Sequence, residues 1–232
     1  MFKKFGRKLL AKKKIMKTEK LTSDSTIKSF LEWHIVNHKE LGDTQPTSHI
    51  AAYLQLIKKN QSTDGNILEL GTYRGGLTII IAKYLKKINS TKKIISCDTF
   101  EGFPYDDKFT HSKTPIRKGD FNDSSLESVQ QKIESFDVKN GISLIKGKFE
   151  DTLYTKLNDE LFSFVIMDCD LYDAVKFSLP FVWERLVKNG ICVFDEYDDE
   201  NTSLWGETKA VNEFCEKNGI KIIKTPIHHI IK

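Results

Sequence analysis

The segment Phe162-Ser-Phe-Val-Ile-Met-Asp-Cys-Asp-Leu-Tyr172 decides how this chain is read. It opens as an apolar run without alternation, the pattern of a strand buried on both faces of a parallel sheet. It closes on two carboxylates, Asp168 and Asp170. If the strand persists to that point, their i, i+2 spacing sets both on one face at the C-terminal edge, where open α/β sheets bind ligands. A second run, Gly190-Ile-Cys-Val-Phe194, releases Asp195, Glu196 and Tyr197 in the same manner. Up to four carboxylates around one point repel one another, so the arrangement needs a cation or shared protons. Oxygen donors without a convergent His or Cys fit a hard ion such as Mg²⁺ or Ca²⁺ better than zinc.

Upstream, Asn66-Ile-Leu-Glu-Leu-Gly71 reads as the first buried strand, followed by Thr-Tyr-Arg-Gly75-Gly76 and a helix over residues 77–85. Glycines allow close backbone approach, and the helix N-terminus offers free N–H groups to a nucleotide. The loop lacks the middle glycine of G-x-G-x-x-G. It also places Glu69 two residues before the first glycine, where an acid would repel a pyrophosphate and suit a cationic amino acid. The bland alternative is a tight turn with an incidental Glu. The second strand, Lys92 to Asp98, ends on an acid placed to grip ribose hydroxyls. The stretch 99–122, with His111 and Arg117, is too long for a connector and reads as an acceptor-contacting lid.

Asp123-Ser-Ser-Leu-Glu127 opens a helix to Phe136, and Gly141 to Gly147 is a third strand. A helix over 172–187 is stopped by Lys188-Asn-Gly190, and Asp170 is also placed to N-cap it. A helix over 208–217 comes next, then two closing strands, 220–224 and 227–231, around Pro226. No repeat or second-domain boundary is visible. Before the sheet, Thr22-Ser-Asp-Ser caps a helix to Glu40, and Pro46 opens a second over 47–60. These two helices are expected to cover the ligand edge. His34 and His38 stand one turn apart; with no third ligand in view, they read as packing or surface histidines.

At 232 residues, 39% hydrophobic and 29% charged, the chain suits one well-buried domain. Residues 1–20 hold nine Lys/Arg against one Glu, a net of +8, so the overall +4 leaves −4 for the rest. The basicity is local: a solvated extension or a short amphipathic contact with an anionic membrane. Arginines are few (Arg7, Arg74, Arg117, Arg185), which disfavours nucleic acid as a partner. No apolar run approaches the roughly 20 residues of a membrane span, and Leu9-Leu10-Ala11 is too short for a secretory signal. Cys97, Cys169, Cys192 and Cys215 form no CxxC pair and read as reduced, buried residues of a cytoplasmic protein.

Five motifs then combine: Leu68-Glu-Leu-Gly-Thr-Tyr-Arg-Gly-Gly76, Asp98-Thr-Phe-Glu-Gly-Phe-Pro104, Gly147-Lys-Phe-Glu-Asp-Thr-Leu153, Asp168-Cys-Asp-Leu-Tyr172 and Asp195-Glu-Tyr197. In this order, over residues 60–215, they resemble the class I S-adenosylmethionine-dependent methyltransferases. The closer resemblance is to the macrocin O-methyltransferase family, metal-dependent sugar O-methyltransferases. The resemblance implies a Rossmann-like, mostly parallel α/β sheet of seven strands, the last antiparallel, over residues 61–232. Residues 21–60 would be its helical cover and 1–20 a basic extension.

Residue by residue, Glu69 and the backbone of Gly71, Thr72, Tyr73, Gly75 and Gly76 would hold the methionine end of S-adenosyl-L-methionine. Asp98 would bind the ribose with Phe100 beside it, and Phe149, Glu150 and Asp151 would line the adenine edge. Asp168, which also borders the cofactor, would ligate Mg²⁺ with Asp195 and Glu196, and Asp170 would be the general base. The family usually has Asp-Asp-Tyr where this chain has Asp195-Glu196-Tyr197, which moves that oxygen about one methylene outward. The implied acceptor is a small-molecule or lipid-linked glycoside, and the implied assembly a homodimer. A nicotinamide oxidoreductase would need a phosphate-friendly glycine loop, and the loop here lacks the middle glycine and carries Glu69. A catechol-type O-methyltransferase or a non-catalytic cofactor-binding protein of the same fold are the remaining alternatives.

Overall fold

The structure is a computed structural model that describes residues 18–109, 115–197 and 205–232. Asn66–Leu70 (β1), Ile94–Asp98 (β2), Ile142–Lys146 (β3), Phe162–Met167 (β4), Leu186–Phe194 (β5) and His229–Ile231 (β6) form one sheet. The strand order is β3-β2-β1-β4-β5-β6, with all neighbours parallel except β6, which runs antiparallel to β5. Every residue of β4 is buried, as its unbroken apolar run requires. The strand order reverses between β1 and β4, which opens a crevice beyond their C-terminal ends.

Strand alternation sorts the core into two layers. Ile67, Ile94, Phe164, Ile166 and Val193 face one side, under Ser25–Leu41 (α1), Thr47–Lys59 (α2), Gly76–Lys87 (α3) and Leu126–Ser135 (α4). Leu68, Leu70, Cys97, Val165, Met167 and Cys192 face the other, under Phe149–Lys156 (α5), Tyr172–Arg185 (α6) and Trp205–Asn218 (α7). Local chemistry sets the helix ends. Asp24 caps α1 by accepting from Thr26 N–H (2.9 Å) and Ile27 N–H (3.1 Å), and Gly42 ends it in the left-handed conformation. Ser125 and Ser128 form a reciprocal capping box on α4.

Four expectations change. The sheet has six strands, not seven: Ile223 only exchanges a pair of backbone hydrogen bonds with His229 (2.8 and 2.9 Å), and Ile220 and Ile222 pack on the core instead of extending the pairing. The Lys188-Asn-Gly190 stop lies inside β5, because Asn189 takes a left-handed φ of 63° and the chain passes from α6 straight into the strand. β4 ends at Met167, so Asp168 and Asp170 belong to the turn beyond it and not to a common strand face. Leu171, not Asp170, occupies the N-cap of α6, with no side-chain cap. The four cysteines are buried and free. His111 and the first 17 residues of the basic segment lie outside the described residues.

Gly71 is where β1 and β4 close on each other. Its φ is +99°, and a Cβ there would stand 1.7 Å from the Asp168 carbonyl oxygen. Gly71→Ala is expected to lower stability by about 3 kcal/mol, from backbone displacement and left-handed strain together. Gly141, whose Cβ position is open, serves as the control: its Ala variant should differ from wild type by less than about 1 kcal/mol in urea denaturation.

Candidate active site

The end of β1 turns through Gly71 into a loop that Asp98, at the end of β2, holds from below. Asp98 Oδ2 accepts from the N–H groups of Thr72 and Tyr73, both at 2.8 Å, and Oδ1 from Phe100 N–H at 2.7 Å. Above this loop lies an open cleft. Its walls include Gly71, Tyr73 and Asp98 on one side, Phe149 and Glu150 on another, and Asp168 and Asp170 from the turn after β4. Phe103 and Tyr105 add aromatic surface, and Tyr105 O–H donates to Glu150 Oε1 at 3.3 Å.

Other site candidates stand behind or beside the wall. Phe100 is buried in the core, Gly75 is the left-handed N-cap of α3, and Asp151 is exposed on the first turn of α5. Thr72 is buried in the loop itself, and Gly76 packs directly on Asp43.

Glu69 departs most from expectation. Alternation turns it away from Leu68 and Leu70, onto the α3 face of the sheet, opposite its register partner Ser96. There it is fully buried, accepts a hydrogen bond from the Thr78 hydroxyl, and leaves Oε1 without a partner. Burial is the main cause that pushes its carboxyl up to about 7. Glu69 does not line the cleft; it belongs to a buried polar knot of Glu69, Thr78 and Ser96.

The carboxylates after β4 and β5 gather at one end of the cleft with partners that sequence reading missed. Gln45 Nε2 donates to Asp168 Oδ2 at 2.8 Å. Asp195, 5% exposed, is hydrogen-bonded through Oδ1 to His49 Nδ1 at 2.9 Å and to the Tyr53 hydroxyl. Tyr53 and His49 lie one turn apart on α2, and Gln45 sits in the connection just before its Pro46 N-cap, so one end of the cover reaches into the acids. The i, i+4 spacing of His49 and Tyr53 in an apolar helix was the available signal.

A fifth acid, Glu207 on α7, is fully buried; Oε1 accepts from Glu196 N–H at 3.1 Å and Oε2 has no partner. Its signal was an acid on the buried side of a helix, one turn before Ala210 and Val211. Starting that helix at residue 208 left it out.

Burial, then the charges of Asp195 and Asp170, raise Asp168 well above the carboxylate range. Burial, then Glu196 and Asp195, push Asp170 up to about 8. Burial and Asp170 do the same to Glu207. For His49, burial is the largest influence and lowers the pKa, but the hydrogen bond to Asp195 and the charges of Asp195 and Glu196 together outweigh it and the net shift is upward. Among the described residues, no three carboxylates bring donor atoms within 4.8 Å of one another. Asp168, Asp195 and Glu196 therefore form an open set, with Gln45, His49 and Tyr53 on the oxygens of the first two. In donor type the set fits a hard divalent cation, and the buried Asp168 and Asp195 meet only hydrogen bonds from Gln45, His49 and Tyr53 among the described residues.

This architecture is shared with known enzymes. CalS11, the calicheamicin methyltransferase, superposes with a TM-score of 0.71 at 18% identity over 95% of this chain and 91% of its own. The O-methyltransferase NovP gives 0.64 at 21% identity, over 77% and 75%. An O-methyltransferase from Bacillus cereus, solved with SAH, gives 0.55 at 15% identity, over 91% and 92%. No curated protein matches the chain in sequence. The fold is that of the class I methyltransferases. The macrocin-O-methyltransferase (TylF) model matches residues 5–231, and the chain belongs to that family. It is an S-adenosylmethionine-dependent O-methyltransferase of this sugar-methylating family.

Glu69 makes stability depend on pH in a defined direction. Its folded pKa lies above its unfolded one, so the folded state binds the extra proton and stability is lost as pH rises from about 4.5 through 7. Glu69→Gln keeps an acceptor for Thr78 and removes the charge. Its melting curve should exceed that of the wild type by roughly 1–3 kcal/mol at pH 8, with the gap closing near pH 4.5.

Proposed function

We propose that the cleft methylates a sugar hydroxyl, with Asp170 as the base and a Mg²⁺ held by Asp168, Asp195 and Glu196. The observation that carries this reading is the position of Asp170. It stands on the wall of the same cleft as Asp98 and the glycine loop, in a left-handed backbone (φ 60°), and no described residue hydrogen-bonds its carboxylate. A strained acid without a hydrogen-bond partner among the described residues, beside the cleft of the glycine loop, is what proton abstraction requires. The sugar reading is supported by family membership, and CalS11 is described as a TDP-rhamnose 3'-O-methyltransferase.

The chain's own groups divide the work. Asp98, at the root of the cleft, has lone pairs left for ribose hydroxyls after taking its three N–H groups. Phe149, Tyr105 and Phe103 form an apolar wall suited to a purine ring and keep water from the reacting atoms. Asp170 orients the acceptor hydroxyl and takes its proton as the methyl–oxygen bond forms and the methyl–sulfur bond breaks in line, with S-adenosylhomocysteine as the leaving group. When bound, Mg²⁺ supplies the positive charge that acidifies a chelated hydroxyl and offsets the mutual repulsion of the acids. Gln45 from the α1–α2 connection, and His49 with Tyr53 from α2, keep Asp168 and Asp195 oriented toward that site. The basic segment 1–20 supports a lipid-linked or membrane-proximal acceptor through attraction to anionic surfaces.

Two variants test the assignment. Asp170→Asn should leave S-adenosylhomocysteine affinity unchanged and lower kcat on nucleotide-sugar acceptors by about 10²–10⁴. Asp168→Ala should abolish the calorimetric response to Mg²⁺ that EDTA reverses in the wild type. Wild-type activity indifferent to EDTA would refute the metal's part and leave Asp170 to be judged alone.

A further inference from the structure

The α1–α2 connection carries a second cluster of metal-ligating groups, apart from the acids. His34 and His38 are one turn apart on α1, and Gly42 turns the chain so that Asp43 folds back against them. His34 Nε2 lies 2.9 and 3.1 Å from the two Asp43 oxygens, and His38 Nδ1 lies 3.1 Å from Oδ2. All three donor atoms fall within 4.8 Å of one another, which no other trio among the described residues achieves. The side chains of Asp43 and His34 are 1% and 3% exposed, whereas His38 is 49% exposed. The cluster thus has a dry floor and a side open to water.

We propose that His34, His38 and Asp43 form a zinc site, with water as the fourth ligand. Two imidazoles and one carboxylate are a borderline donor set that suits Zn²⁺ and not Mg²⁺. Tetrahedral zinc with bonds of about 2.0–2.1 Å needs donors about 3.3 Å apart, so the two imidazole-to-carboxylate spacings open by only a few tenths of an ångström, while the two imidazole nitrogens already lie within 4.8 Å of each other. The neighbouring cations are engaged elsewhere: Lys132 donates to the Leu41 and Arg74 carbonyls at 2.8 and 2.7 Å, and Arg74 pairs with Asp123.

The site bears on the cleft through Asp43 and its two successors in the chain. A Cβ on Gly76 would stand 2.4 Å from the Asp43 Cβ, so Asp43 rests on the first turn of α3. Thr44 lines the cleft, and Gln45 donates to Asp168. Zinc would fasten this strap to α1 and thereby hold one side of the cleft.

The test is Zn²⁺ calorimetry and Co²⁺ absorption on metal-free full-length wild type, His38→Ala, Asp43→Asn and Asp168→Ala. The half-exposed His38 can be truncated without opening the core, so that variant carries the test if Asp43→Asn does not fold. The expected result is one equivalent of zinc in wild type and Asp168→Ala, unaffected by millimolar Mg²⁺. Affinity should fall by more than about 100-fold in His38→Ala, with loss of the intense tetrahedral Co²⁺ bands and of the zinc-induced rise in melting temperature. No zinc binding in the wild type overturns the proposal. So does wild-type affinity in His38→Ala, or binding lost in Asp168→Ala and kept in His38→Ala, which would give the zinc to the acids.

Discussion

The contact between Gly71 and the Asp168 carbonyl governs the rest of the site. Two parallel strands usually end with their side chains between them and whatever binds above. Here Asp168 N–H donates to Leu70 O at 2.9 Å, and the missing Cβ of Gly71 lets the backbones touch. The consequence is that the glycine loop and the Asp168–Leu171 turn rise from one point. A ligand lying on the loop therefore meets the carboxylates of the turn, with no intervening side chain. Asp98 completes the platform by holding Thr72 and Tyr73 by their N–H groups.

A platform built this way concentrates negative charge, and the surrounding structure answers it with hydrogen-bond donors in place of fixed cations. Gln45 serves Asp168, and Tyr53 with His49 serves Asp195. The amide of Gln45 and the hydroxyl of Tyr53 lower the cost of the buried acids without cancelling their charge, and His49, whose pKa is raised, adds positive charge when protonated. Where donors run out, at Asp170 and at Glu207 Oε2, the acids hold protons well above the usual range. Ion pairing by lysine or arginine would have quieted the cluster and closed the site to a divalent cation. Charge left unbalanced is what a cation site needs.

The sheet was legible because its evidence is local. The runs Phe162–Met167 and Gly190–Phe194 are apolar except at Ser163, too short for a helix, and buried throughout, which is how strands covered on both faces read. The acids were legible for the same reason, being attached to the ends of those runs. Glu69 shows the limit: its motif position invited a ligand role, but strand parity, set by the pairing of Glu69 with Ser96, turns it under α3. The partners from outside the sheet were illegible because they depend on long-range packing. Nothing local says that Tyr53, 142 positions from Asp195 in the chain, will reach it. His34 and His38 lacked a third ligand on paper because Asp43 joins them only after Gly42 reverses the chain.

Those long-range contacts give the N-terminal helices a part in the chemistry and not only in coverage. The five residues between α1 and α2 hold, in sequence, the left-handed turn at Gly42, the Asp43 that rests on α3, the cleft-lining Thr44, and the Gln45 that grips Asp168. Consecutive residues on a short strap cannot move independently, so displacing Asp43 shifts Thr44 and Gln45 with it. The N-terminus of α3, the cleft and the acid cluster are thereby coupled through one backbone segment. An event at the His34–His38 end of that segment bears on the geometry at Asp168 without touching the cleft.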